Sequence, residues 1–191
     1  MMAAYQLKAI PARFYTTTLD VLALAEQLGD VGLLHTLMQR PYVNGSLAGY
    51  WGAVTDQWAP QSPTSCERPD ISFWDAGCLL LNQKAYSALH QALAADGEFL
   101  PITVDGEPMQ VFNCMTWGKE DMSLTEKAYL DGYEDGIATL AFDEADIADK
   151  LVFKSQLEAG ARLYVSAAFK ELVEAHQLQG LRFDPELMDP F

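Results

Sequence analysis

Apolar positions recur along this chain with two periods, and the clearest alternation of the two lies between Leu151 and Pro185. Leu163, Tyr164 and Val165 form a short apolar run that predicts a strand. Phe169, Leu172, Val173 and His176 follow at i, i+3, i+4 and i+7, one stripe of a helix, with Lys170, Glu171, Glu174 and Gln177 on the other side. Ser166 stands where an N-cap is needed, since its hydroxyl can accept from unpaired first-turn amides. Gly180 ends the pattern, and Leu181-Arg182-Phe183 alternates like a half-buried strand before Pro185 stops further pairing.

The same texture occurs once earlier. Ile71 to Trp74 and Cys78 to Leu81 read as strands around a break at Asp75 to Gly77. Asn82 then caps a helix with Tyr86, Leu89, His90 and Leu93 on one side, Asp96-Gly97 ends it, and Phe99-Leu100 gives a short strand closed by Pro101. Identity between the two copies is negligible, so what they share is a strand–helix–strand unit.

Between Leu19 and Arg40 the pattern predicts two short helices, because Gly29, Asp30 and Gly32 interrupt it; Asp20 is the N-cap of the first. Tyr5 to Ile10 and Arg13 to Thr17 read as extended pieces on either side of Pro11. Pro41 to Pro69 is the least regular stretch, a loop in which Tyr50, Trp51 and Trp58 either pack down or form a contact surface. Asp105-Gly106 predicts a hairpin turn between Ile102–Val104 and Met109–Met115. Ser123 to Tyr129 is expected to be a short capped helix, and Ile137–Phe142 and Leu151–Phe153 strands. The sum is an α+β fold of mostly antiparallel sheet, with amphipathic helices packed on one face and two strand–helix–strand units. Residues 1–69 are expected to form a helical and loop region packed on a main α+β domain of residues 70–191.

Charge changes this picture by its position. The net charge is −15, and the segment 96–149 carries fourteen acids against only Lys119 and Lys127. Such a field repels phosphate, which argues against a nucleic-acid partner, and attracts a basic protein surface. No apolar run is long enough to span a bilayer, and the N-terminus shows no continuous apolar core of a signal peptide. A cytoplasmic protein is therefore expected, with no membrane partner.

Candidate chemistry is sparse. Cys66, Cys78 and Cys114 are an odd number with no CxxC pair, and each is expected to be a small buried hydrophobe rather than a metal ligand. His35, His90 and His176 stand alone in their segments, with no HExxH pair. His90 and His176 sit on or beside apolar stripes, as satisfied histidines at the edge of a core would. Residues 45–49 place Ser46 off the centre that a GxSxG elbow requires. Residues 131–136 are similar to the start of a calcium loop, but Tyr133 and Phe142 occupy positions three and twelve, where oxygen ligands belong. Neither a Gly-rich phosphate loop nor a cofactor motif is present, so no catalytic residue, metal or cofactor is expected.

The order of segments resembles a bacterial family first described as a domain of unknown function and classed with the immunity proteins of polymorphic toxin systems. The resemblance is carried by Cys78–Leu81 with Asn82 and its helix, Gly97 to Pro101, and Val111-Phe112-Asn113. It is closest over Leu151–Lys154, Leu163–Ser166, the helix to His176, and Leu178 to Phe183, and it covers roughly residues 70–186. It implies a non-enzymatic protein that binds and neutralises a cognate toxin, encoded by a neighbouring gene, in the cytoplasm of the producing cell. An acidic face suits a basic toxin. The contacts expected on it are Glu120, Asp121, Glu126, Asp131, Glu134, Asp135, Asp143, Glu144 and Asp146, with Trp117 and Tyr133 as anchors. Two other functions fit the residues alone: a hydrolase or transferase using His90 or His176 as base, and a homodimeric interaction module.

Overall fold

The computed structural model describes residues 4–191. It is an α+β fold whose two five-stranded sheets are mostly antiparallel. The first sheet has strands β3 (Thr55–Asp56), β5 (Ile71–Phe73), β6 (Cys78–Leu81), β7 (Gly97–Val104) and β8 (Glu107–Cys114), in the order β3-β7-β8-β6-β5. The second has β1 (Ala4–Ala9), β9 (Trp117–Gly118), β12 (Val152–Ser155), β13 (Tyr164–Ser166) and β14 (Leu181–Asp184), in the order β14-β1-β13-β12-β9. Within these two sheets, among the described residues, only the contacts of β3 with β7 and of β9 with β12 are parallel. Two ladders stand apart: β2 (Tyr15–Thr17) with β4 (Trp58–Pro60), and the hairpin β10 (Glu126–Leu130) with β11 (Tyr133–Thr139).

Both strand–helix–strand units form. Helix α3 (Gln83–Leu93) follows β6, and Asn82 Oδ1 accepts from the amide of Ala85 at 2.9 Å. Helix α4 (Ala167–Ala175) follows β13, and Ser166 Oγ accepts from Phe169 N at 3.4 Å. Ala85, Leu89 and Leu93 of α3 meet Phe169 and Val173 of α4 in one core, together with Leu79 and Leu81 of the first sheet and Val152 and Val165 of the second. Burial of each large side chain here contributes about 1.5–3 kcal/mol. Gly180 joins the units, with backbone so close to Ile71 O that any Cβ there would collide.

The continuous apolar run of β6 is explained by burial on both sides. Leu79 and Leu81 face the shared core, while Cys78 and Leu80 face a second core with Leu24 of α1 (Val21–Gln27) and Leu37 of α2 (Leu34–Val43). Asp20 caps α1 by accepting from Ala23 N. A third cluster lies on the far face of the second sheet, where Phe153 and Tyr164 pack with Leu140, Phe142 and Ile147.

Four local expectations are corrected. Pro101 does not end its strand: β7 runs to Val104, paired Pro101 to Gln110. The amides of Thr103 and Asp105 donate toward Val54 and Asp56, away from β8, so the donor that Pro101 lacks belongs to that same outer side. Ser123 to Tyr129 is not a helix; Leu124 and Thr125 close one turn onto Asp121 O, after which β10 begins. Cys66 is exposed, whereas Cys78 and Cys114 are buried. His176 lies past the last turn as the C-cap and is exposed, off the apolar stripe.

Candidate functional site

The acidic segment divides into residues engaged within the chain and residues held out in solvent. Glu120 accepts from Ser155 Oγ at 2.6 Å and from Leu157 N at 3.2 Å, which ties it to the end of β12. Asp121 accepts from the hydroxyl and amide of Ser123, bonds that hold its carboxyl below the usual aspartate range. Asp143 accepts from Lys119 Nζ at 3.3 Å and from Ala145 N at 3.0 Å. For Asp146 burial favours the protonated form, but Lys150 Nζ at 2.6 Å and Lys119 N at 2.8 Å outweigh it and lower the pKa. The Trp117 ring is half-buried, with Lys154 Nζ 4.8 Å from its centroid. These five side chains build the loops around β9 and β12.

The exposed set is Glu126, Asp131, Tyr133, Glu134, Asp135 and Glu144. All but Glu144 lie on the β10–β11 hairpin or its turn, which pairs with neither large sheet. Asp131 at φ +50° and Gly132 at φ +84° make the turn, a conformation that suits the twist of a two-residue hairpin. The register slips between Glu126 and Lys127 and again between Lys127 and Tyr129, and Gly136 at φ +87° sits in the strand opposite. Such bulges and charged edges discourage casual strand pairing. At the tip Tyr133 is 80% exposed, Tyr129 65% and Leu130 63%. Lys127 is the one base among the hairpin residues; its ammonium, 2.9 Å from Glu134, is held above the usual lysine range by that bond.

Tyr129 and Leu130 were not expected as contacts. Their signal was present, because Asp131-Gly132 is the same turn dipeptide as Asp105-Gly106. Reading Ser123 to Tyr129 as a helix hid it, because that stretch contains most of β10. Among the described residues no group of three or more His, Cys, Asp or Glu is placed to hold a metal ion.

The histidines lie elsewhere. His90 stacks on Tyr86 with centroids 4.8 Å apart, and its Nδ1 is 2.9 Å from Tyr86 O. His35 is exposed on α2. In the loop before β5, Trp51 Nε1 donates to Pro101 O at 2.7 Å and its ring meets Trp74 edge-on, while Tyr50 is exposed. No helix of the described residues is long and apolar enough to cross a membrane. Neither a protein-family model nor a curated protein matches the sequence.

Proposed function

We propose that this protein is a cytoplasmic immunity protein that binds and neutralises a basic bacterial toxin without turnover. The observation that supports the reading is the hairpin: four acids and one base on a two-stranded projection with Tyr129, Leu130 and Tyr133 in solvent at its tip. The negative field accelerates encounter with a cationic surface and suppresses acidic partners. The exposed aromatics supply rigid apolar area that becomes favourable once covered.

The test is co-expression with the product of the neighbouring reading frame. The wild-type chain forms a complex with that product and restores growth. Reversing Glu126, Asp131, Glu134 and Asp135 to Lys slows association and abolishes rescue, while Tyr133→Ala weakens the complex by about tenfold or more. Absence of both complex and rescue for the wild-type chain overturns the proposal. Binding that is indifferent to the four reversals removes the acidic hairpin from it.

A further inference from the structure

At the foot of the hairpin lies a groove of about 430 Å³ that the acidic pattern did not foreshadow. Its lining includes the end of β11 and the chain after it, from Ala138 to Phe142, the stretch Pro185 to Met188 after β14, and Ala4 of β1. Leu140, Phe142 and Ile147 come from the core of the second sheet, and Leu187 and Met188 are half-buried against that core. The lining is therefore apolar and rests on packed side chains. Its rim is acidic: Glu144 and Glu186 both border it and both are exposed. The cation beside it is Arg162, whose Nη1 lies 3.8 Å from Met188 Sδ and is already paired to Glu158 at 3.3 Å. Exposed Leu124 extends the apolar surface toward the hairpin.

We propose that this groove receives an apolar side chain from an extended segment of the partner in which Lys or Arg flank that side chain. The inference rests on the immunity reading for the identity of the partner, but its chemistry stands on the groove. The lining is drawn from the two stretches Ala138–Phe142 and Pro185–Met188, and an extended chain, slimmer than a helix about 10 Å across, is the form proposed to enter it. An apolar floor selects a Leu-like side chain, and two carboxylates on the rim select basic neighbours and reject acidic ones. The hairpin and the groove then act together: the first steers and grips, the second fixes register. Two sites on one rigid partner raise affinity beyond either alone.

The groove is tested on the full chain with a capped peptide, Lys-Lys-Leu-Lys-Lys, at millimolar concentration, by amide NMR titration. Shifts are expected at 138–142, around 144–147 and at 185–188, all of which line or adjoin the groove. Replacing the central Leu of the peptide by Ser weakens binding by about tenfold or more, the worth of one buried leucine side chain. Replacing its Lys residues by Glu does the same. Ala138→Trp, at an exposed wall position, fills the groove and removes the shifts while the remaining spectrum stays native. Shifts elsewhere or none, equal binding of the Ser or Glu peptide, or indifference to Ala138→Trp overturns the inference.

With the neighbouring gene's product as ligand, the two ideas separate. Capture that survives Ala138→Trp but not the hairpin reversals removes the groove and leaves the immunity reading. A wild-type chain that captures nothing removes that reading, and the peptide titration still decides the groove.

Discussion

Lys154 is the residue at which the physical forces are most opposed. Its side chain is wholly buried, its ammonium donates to Pro41 O at 2.9 Å and faces the Trp117 ring, and no carboxylate is among those contacts. Burial lowers its pKa, and Arg40 nearby pushes the same way. Cys78 and Cys114 beside it offer no neutral-pH anion, since burial pushes their thiols up to about 12 and about 11. A lysine with a folded pKa below its ordinary value near ~10.4 binds protons less readily in the native state. Stability then rises with pH across the window between the folded pKa and ~10.4. Lys154→Met keeps the length of the side chain and removes the charge, at the cost of a donor to Pro41 O. The variant is expected to match or exceed the wild type by about 1 kcal/mol at neutral pH. Urea titrations at stepped alkaline pH check the sign: the wild type gains on the variant as pH climbs through the window.

At the scale of elements, the helix caps make the strand–helix–strand units distinct from a generic apolar pattern. Asn82→Ala and Ser166→Ala are each expected to cost about 1 kcal/mol in chemical denaturation. Asn82 is the costlier, because its Nδ2 also donates to Asp70 Oδ1 at 2.9 Å. These features were legible in the sequence because caps and turn dipeptides act within three or four residues. The Asp20 cap, the break between α1 and α2, and the Asp105-Gly106 hairpin all form where local chemistry predicted. What was not legible depends on distant partners. Pro101 continues its strand because of which side of β7 the neighbouring amides face. The turn at Ser123 is a different case: it closes onto Asp121 O, and the local Asp131-Gly132 signal sets the residues after it into β10. For the candidate site, the sequence located the acidic segment but could not separate Asp146, clamped by Lys150, from Glu134 on the free hairpin. The groove was invisible, because its walls lie more than forty residues apart in the chain.

Across the whole molecule, the two sheets are joined by residues whose side chains cross from one to the other, and Asp96 is the most exacting of them. It sits between α3 and β7, and its carbonyl accepts from Met115 N and Thr116 Oγ1, each at 2.9 Å. Its Oδ2 accepts from the amides of Leu151 and Val152 at 2.8 and 3.1 Å, at the start of the second sheet's β12. Burial raises the carboxyl's pKa, and the two amide bonds only partly offset that rise. The sign is opposite to that of Asp146 and Asp184, whose pKa values are lowered. With a folded pKa above the ordinary ~3.9, the native state holds this proton more tightly, so its stabilising share is complete at acid pH and is lost as pH rises through the folded value. Asp96→Asn keeps an oxygen that can accept both amides and carries no charge. It is expected to lie within about 1 kcal/mol of the wild type at neutral pH, or above it, and to gain on it as pH rises through that window. Asp96→Ala leaves the amides of Leu151 and Val152 without that partner and is expected to cost about 3 kcal/mol at acid pH, the gap to the wild type narrowing as pH rises through that window. Urea unfolding of the three proteins from pH 3 to 7 decides the matter: an Asn variant as unstable as the Ala variant would mean that the carboxylate charge itself, rather than its oxygen, holds the sheets together.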